Sequence, residues 1–264
     1  MSDVEPLPTE QALARTYDGG AYADAYEAVH QYRRATSYAF RNDAKSGATA
    51  SATGLPRGRI RLWVDEGGAP DAVNAIEAAH RHGWLECEFS DPTFTGLNAL
   101  VANVFSGGSI GAQDYRPSFA LNQRGEDSHV IDALELVGAE YELIDDRDGR
   151  ADEIRPTEDG TVLGRVLAAL GAPVGPKTDR HLELPAYLED APTDVCETFV
   201  YAYLENRAVE RPNKDTLTVR EERNREYLES LSALIESVAG DGVHLGKRDI
   251  IISADAARTL GTVR

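Results

Sequence analysis

Three arginines occur at alternate positions in a short stretch of this chain, just after a glycine. They are Arg57, Arg59 and Arg61, and the glycine is Gly54. A guanidinium group presents five N–H donors in a planar fork, which matches the oxygens of a phosphate or the acceptor edge of guanine. The chemistry that these residues indicate is the binding of a phosphate or of a base edge.

The residues around the arginines predict a helix-turn-helix. Residues 46–53 read as a helix of small residues, Gly54 as the turn, and Pro56 stands where the first turn of a following helix tolerates proline. In this arrangement the N-terminal part of the second helix faces base edges in the major groove, while its apolar residues anchor it. The segment 54–73 also resembles the N-terminal halves of the DNA-binding domains of site-specific recombinases and transposases.

Two further helices are predicted on either side of this unit, from Ala21 to Phe40 and from Pro70 to His82. The alternative to a helix-turn-helix is an ordinary three-helix bundle whose arginines face solvent. Gly58 favours that alternative, because a glycine inside a helix lowers its stability by about 1 kcal/mol.

The amino-acid composition limits the class of protein. With 264 residues, of which 42% are hydrophobic, the chain is long enough to bury a core. It has 45 acidic and 27 basic residues, a net charge of −18, and only four lysines. An acidic, lysine-poor surface is typical of proteins that work in molar salt, so we expect a protein of haloarchaeal type. In such salt a negative net charge does not exclude a nucleic-acid partner, because only local arginine contacts matter.

Several classes of site are disfavoured because the sequence lacks their motifs. It has no Walker loop, dinucleotide fingerprint or Gly-x-Ser-x-Gly, and its six histidines are scattered. Cys87 and Cys196 are too few for a metal knuckle and read as small buried hydrophobes. Neither an apolar run of about 18 residues nor a targeting signal occurs. We therefore expect a cytoplasmic protein without a membrane segment, cofactor or metal.

A second motif begins at Leu97. An apolar helix pattern over residues 97–105 runs directly into Ser-Gly-Gly-Ser-Ile at 106–110. This resembles the signature of the LAGLIDADG homing endonucleases, in which an apolar helix ends in Gly-Asp-Gly-Ser-Ile and the aspartate binds the catalytic metal. Gly107 stands in the place of that aspartate.

The same order of elements occurs twice after this point. Residues about 95–172 and 192–264 each read as helix, two strands, helix, two strands, helix, an α+β pattern repeated at a fixed offset. The order resembles the LAGLIDADG fold, in which two such units pair through their signature helices and their antiparallel sheets form a saddle over the major groove. Ala99, Ala102 and Ala202 would stand where the two helices approach closely. The alternative is a pair of buried amphipathic helices in an unrelated α+β domain.

The second copy carries Phe-Val-Tyr-Ala-Tyr-Leu-Glu-Asn-Arg at 199–207, which resembles the second signature of the family. Arg207 stands where its metal-binding aspartate is expected, and a guanidinium would repel a cation. Glu205 is a candidate substitute ligand, but Gly107 leaves it without a partner carboxylate. Because hydrolysis in this family needs two acidic groups to hold its metals, the resemblance implies that cleavage is lost.

These motifs predict three segments. They are a flexible leader at 1–17, a helix-turn-helix domain of three to four helices at 18–92, and a LAGLIDADG-like domain at 93–264 that is a pseudo-twofold duplication of αββαββα. A helix-turn-helix joined to a degenerate LAGLIDADG-like domain is similar to the WhiA-like family of sporulation regulators, in which the two domains occur in the opposite order.

The function that we predict is sequence-specific binding of double-stranded DNA by a transcriptional regulator that has no catalytic residues. One alternative is a homing-type endonuclease that is active or uses other ligands such as Glu205. Another is an acidic ligand-sensing or protein-interaction module. The DNA partner implies a nucleoid-associated protein that contacts the transcription machinery, either as a monomer with pseudo-twofold symmetry or as a homodimer. The predicted DNA-binding residues are Arg57, Arg59, Arg61, Arg116, Arg207 and Arg220, and the degenerate metal positions are Gly107 and Arg207.

Overall fold

The computed structural model describes residues 6–20, 22–121, 128–144, 152–178, 180–211 and 214–261. These residues form helices and two four-stranded antiparallel sheets, which confirms the predicted α+β class. The parts of the predictions that fall on residues 1–5, 21, 122–127, 145–151, 179, 212–213 and 262–264 lie outside the described residues. Among the described residues, no helix combines the length and the apolar character needed to cross a membrane.

Among the described residues, five helices precede the apolar helix that begins at Pro92. The third ends because Gly54 takes a φ of 70°, in the left-handed region that a residue with a side chain rarely adopts. Pro56 then leads directly into the fourth helix, as predicted. The five helices are α1 Glu10–Ala14, α2 Ala25–Asn42, α3 Ser46–Thr53, α4 Arg57–Asp65 and α5 Asp71–His82.

The rest of the chain contains two halves with the same order of helices and strands. The first half comprises α6 Pro92–Ser106, β1 Ser109–Ile110, β2 Pro117–Ala120, α7 His129–Leu136, β3 Tyr141–Ile144, β4 Glu153–Pro156 and α8 Gly160–Ala169. A 3-10 helix, Ala186–Glu189, lies between the halves. The second half comprises α9 Thr193–Arg207, β5 Ala208–Arg211, β6 Lys214–Arg220, α10 Arg225–Ala239, β7 Val243–Leu245, β8 Asp249–Ile252 and α11 Ala254–Thr259.

The two sheets also have corresponding strand orders, β1-β2-β4-β3 and β5-β6-β8-β7, with antiparallel pairing throughout. Alternation along the strands sends one set of side chains into the core and the other set to the outer face. Phe119 and Ile154 face the core in the first sheet, and Val219 and Ile250 do so in the second.

Helices α6 and α9 pack side by side at the centre of the molecule. Asn98 Nδ2, in the middle of α6, donates to the backbone oxygen of Val195 near the beginning of α9 at 2.8 Å, and at the helix ends Asn206 Nδ2 donates to Ser106 Oγ at 3.0 Å. Because the later contact joins later residues of both helices, the two helices run in the same direction and end next to each other. The predicted pairing of the two motif helices is therefore present in the structure.

A single hydrophobic core connects the N-terminal helices to the two halves. Trp84, which follows α5, is fully buried, and its indole N–H donates to the backbone oxygen of Val137 at 2.7 Å. Its ring stacks on His82 at a centroid distance of 4.1 Å, and His82 Nε2 lies 3.0 Å from a carboxylate oxygen of Asp159. Trp84 thus ties the end of α5 to both α7 and the start of α8.

Residues 6–17 are also packed against the rest of the molecule, although the sequence predicted a flexible leader at 1–17. Leu7 exchanges two backbone hydrogen bonds with Cys87, at 2.9 and 3.0 Å. Leu13 is fully buried in α1, which packs against α5 and α8. A helix of five residues is too short to show a periodic apolar pattern, so periodicity does not predict it.

The contact between α6 and α9 provides a test of this packing. Ala102 and Ala202 are buried, with exposed fractions of 0% and 1%. We expect Ala102→Leu or Ala202→Leu to overpack the contact and to lower the free energy of unfolding by about 1–3 kcal/mol. Thermal unfolding measures this effect, with Ala52→Leu on the exposed surface of α3 as the control. Melting temperatures unchanged in both core variants would contradict the packing described here.

Candidate nucleic-acid interface

Helix α4 is held in place by α2 and α3. The three helices pack against one another, and Ile60 is the fully buried residue of α4. The Asp65 carboxylate, at the end of α4, accepts hydrogen bonds from the backbone N–H of Ser46 at 3.0 Å and from its hydroxyl at 2.5 Å. Since Ser46 is the first residue of α3, this contact satisfies a free N–H of α3 and fixes the angle between the two helices.

The three arginines of α4 have different surroundings. Arg57 and Arg61 are exposed; Arg61 forms a surface ion pair with Glu66 at 3.0 Å. Arg59 is half-buried, because its Nη1 donates to Gln31 Oε1 at 3.1 Å and its guanidinium lies 4.7 Å from the ring centroid of Tyr22. Arg57, whose Nε donates to Ser46 Oγ at 3.4 Å, and Arg61 are exposed to an external partner. Arg59 instead belongs to the contact between α4 and α2.

The outer faces of the two sheets carry different side chains. In the first sheet, Glu153 accepts hydrogen bonds from Ser118 at 2.8 Å and from Arg155 at 3.0 Å, and Glu142 is exposed beside Arg155. In the second sheet the outer face presents Val209, Thr218, Arg220, His244, Asp249 and Ile251, and Asp249 lies directly opposite Arg220. Arg220 is exposed on this face, and Arg116 is exposed in the turn between β1 and β2.

The two motif helices end next to each other. Gly107 follows the last residue of α6, and a Cβ built there would lie 3.1 Å from the Cβ of Ala120 and 3.6 Å from Asn206 Nδ2. This space is tighter than most side chains accept, so Gly107 allows β2 and the end of α9 to approach α6. Arg207 is the last residue of α9. The sequence-predicted positions Gly107 and Arg207 therefore lie at the same end of the helix pair.

Arg207 is bound to a buried carboxylate. Its Nε and Nη2 donate to the two oxygens of Glu221 at 2.6 and 2.8 Å, and this hydrogen bonding raises the pKa of Arg207. Glu221 is only 1% exposed; it also accepts from the Tyr203 hydroxyl at 2.7 Å and lies 3.6 Å from Arg223 Nε. The residue predicted to replace the second metal-binding aspartate is thus a cation that is held by an internal acid.

Lys177 supplies a further positive charge at the end of α6. Its Nζ donates to the backbone oxygens of Val104 at 2.6 Å and of Gly108 at 2.8 Å, which lack intrahelical partners at a helix end. Burial and, to a smaller extent, the nearby Arg223 and Arg207 lower the pKa of Lys177 to about 8. Arg223 Nη1 donates to the backbone oxygen of Lys177 at 3.1 Å. We call Lys177, Arg207, Glu221 and Arg223 the helix-end cluster.

The helix-end cluster does not fit a divalent cation. Its single carboxylate is already engaged by two guanidinium groups and a hydroxyl, and three cations surround the space where a metal would bind. Within the described part of the chain, no three His, Cys, Asp or Glu side chains come together as a metal site. Glu205, the predicted substitute ligand, is half-buried near the end of α9. The cluster is suited to an anion.

The sequence did not point to Lys177, Glu221 or Arg223, because none of them belongs to a motif. Lys177 lies in the connection that follows α8, and Glu221 and Arg223 follow β6. The only available signal was that Lys177 is one of four lysines in a chain otherwise rich in arginine. Their proximity depends on the tertiary fold.

The comparisons with known proteins found similarity in structure but not in sequence. No protein-family model matches the chain, and no curated protein matches it. Full-length DUF199/WhiA from Thermotoga maritima matches with a TM-score of 0.43 at 11% identity, covering 67% of this chain and 58% of that one. The N-terminal LAGLIDADG domain of DUF199/WhiA matches with a TM-score of 0.41 at 11% identity, covering 66% of this chain and 84% of that one.

The third match is I-DmoI, whose structure is a complex with DNA and Mn. Its TM-score is 0.42 at 14% identity, and the match covers 64% of this chain and 96% of that one. The chain is thus similar to WhiA-type and LAGLIDADG-type structures over about two thirds of its length. It spans only 58% of the length of full-length WhiA.

Proposed function

We propose that this protein binds double-stranded DNA in a sequence-specific manner, acts as a transcriptional regulator and does not cut the DNA. The observation that carries the proposal is the arrangement of α3 and α4. Helix α4 is fixed to α2 and α3 by buried contacts, yet presents Arg57 and Arg61 to solvent near its N-terminal end. This is the part of a recognition helix that contacts base edges and phosphates in the major groove.

The arrangement of the two halves is consistent with a pseudo-twofold duplication, with the outer faces of both sheets directed at the same duplex. Arg116 and Arg220 are exposed on or beside these faces and would contact the phosphate backbone. In this proposal α4 provides base contacts and the sheets provide a second contact region. The chain would act as a monomer whose two halves take the place of two subunits.

The absence of cutting is supported by the residues at the ends of α6 and α9. Hydrolysis of a phosphodiester by two metals needs carboxylates that hold the ions on either side of the phosphate. Gly107 offers no ligand, and Arg207 is paired with Glu221 at 2.6 Å. The strong acidity of the chain, a net charge of −18, points to a protein that works in molar salt, where its repulsion from DNA is screened.

The proposal is tested by selecting duplexes from a random library in molar KCl and then incubating the bound duplex with Mg²⁺, Mn²⁺ or a chelator. We expect specific binding that does not depend on the metal, and no nicking under any of these conditions. A denaturing gel of the duplex labelled on both strands measures the cleavage. Nicks that require a divalent cation would overturn the proposal in favour of an endonuclease. Failure to enrich any sequence would favour an acidic interaction module without a DNA partner.

A further inference from the structure

The helix-end cluster carries more positive charge than its internal acid can neutralise. Lys177, Arg207 and Arg223 surround the single carboxylate of Glu221, which leaves two net positive charges. The C-terminal ends of α6 and α9 oppose this with roughly half a negative charge each. The balance is about one positive charge at the point where the two halves meet. It is a local exception in a chain with a net charge of −18.

The cluster is also open to solvent on one side. The Arg207 side chain is 36% exposed and that of Arg223 is 14% exposed, whereas Glu221 is 1% exposed. Glu221 therefore holds the guanidinium groups from within, and Arg207 faces outwards. Its Nε and Nη2 are used by Glu221, but Nη1 has no hydrogen-bond partner among the described residues.

We propose that the helix-end cluster binds one phosphodiester group of the DNA backbone, with Arg207 as the direct contact and with Lys177 and Arg223 as supporting charges. This inference rests on the proposed function and adds a specific contact to it. A phosphodiester carries one negative charge, and an arginine fixed by an internal carboxylate is already oriented for it, so little side-chain entropy is lost on binding. The helix-end cluster would thus bind the DNA backbone through positive charge, at the position where a metal-dependent enzyme of this fold would bind its metal ions.

Glu221 is the residue of the helix-end cluster that can be changed without removing the contact between Arg207 and the phosphodiester. Glu221→Gln keeps a hydrogen-bond acceptor for Arg207 and Tyr203 but deletes the negative charge that opposes the phosphate. We expect this variant to bind its selected duplex roughly three- to tenfold more tightly than the unmodified protein, since a partly buried charge is weakly screened. Glu222→Gln is the matched control, because it changes the net charge equally while Glu222 is 79% exposed and paired with Arg248 on the surface.

The double variant Arg207→Gln with Glu221→Gln removes the direct contact without leaving the buried Glu221 carboxylate unpaired. The slope of log affinity against log salt should become less steep by about one, as expected for the loss of one phosphate contact. Fluorescence anisotropy across a KCl series measures both quantities, and thermal unfolding of each variant reports folding. If Glu221→Gln does not fold at the assay temperature, Arg207→Lys and Arg207→Gln decide the question, with Lys expected to keep the slope and Gln to reduce it.

The outcomes separate this inference from the proposed function. Suppose that the unmodified protein binds its duplex specifically. If the Glu221→Gln variant then binds this duplex no more tightly than the Glu222→Gln variant, or if the double variant keeps the same salt slope, the phosphate contact alone is overturned. Absence of duplex binding by the unmodified protein would overturn the proposed function, and the contact with it. In a third outcome, inorganic phosphate stabilises the unmodified protein but not the double variant, and both proteins bind DNA equally well. The cluster would then be a site for free phosphate, and the backbone contact would be overturned.

Discussion

Removing the guanidinium groups of Arg57 and Arg61 together is expected to weaken binding of the selected duplex on the order of a hundredfold or more. Each base-edge contact contributes about 1–3 kcal/mol, and a phosphate contact adds about one to the salt slope. Both side chains are exposed on α4, so their removal leaves the packing of Ile60 unchanged. Anisotropy titrations of the Arg57→Ala/Arg61→Ala variant at fixed KCl concentration measure the loss.

The matched control is Arg225→Ala/Arg258→Ala, which removes the same charge from two exposed arginines that pair with acids on α10 and α11. We expect it to retain affinity apart from a small long-range effect. The Arg59→Ala variant should differ from both double variants. Because Arg59 contacts Gln31 and Tyr22, its removal should lower the melting temperature as well as the affinity for the duplex. Equal affinities for the control and the Arg57/Arg61 variant would mean that α4 does not contact the DNA.

The largest effect on stability is expected at Trp84. Trp84→Ala removes a fully buried indole and leaves the backbone oxygen of Val137 without its hydrogen bond at 2.7 Å. Replacement of a buried aromatic side chain by alanine lowers the free energy of unfolding by about 3–5 kcal/mol, and the unpaired oxygen adds to the cost. For a chain of this size this corresponds to a decrease in melting temperature of about 6–20 °C.

The second tryptophan provides the comparison for this prediction. Trp63 on α4 is half-buried and makes an edge contact with Tyr32 at a centroid distance of 5.7 Å. Trp63→Ala should therefore destabilise the protein less than Trp84→Ala in urea or thermal unfolding. If the two variants melt at the same temperature, Trp84 does not connect the N-terminal helices to α7 in the way described here.

Much of the fold could be predicted from periodicity and from turn residues. The bounds of α3 agree with the predicted helix because Gly54 and Pro56 mark its end and the start of α4. The motif helices were predicted because α6 and α9 carry near-continuous apolar patterns. The short helix α1 was not predicted, since a segment of five residues carries no periodic signal and depends on tertiary packing.

The candidate interface was predictable only in part, for a related reason. The arginines of α4 and Arg207 could be found because they lie within motifs. Arg59 could not be assigned to an internal contact, because the position of Gln31 beside it depends on how α2 and α4 pack. Glu221 is 14 residues from Arg207, and no local pattern shows that β6 returns the chain to the end of α9. Single-sequence reasoning finds residues that a motif marks and misses residues that a fold brings together.

The outer faces of the two sheets are unlike, although the strand orders correspond. The first face carries Glu142, Glu153 and Arg155, whereas the second carries Arg220 opposite Asp249, with the apolar Val209 and with Thr218. A symmetric dimer presents identical surfaces and therefore favours an inverted repeat in its target. For the proposed complex, two unlike faces on one chain favour a target whose two halves differ. Such a site has a direction along the duplex, so the protein would be placed at it in a single orientation.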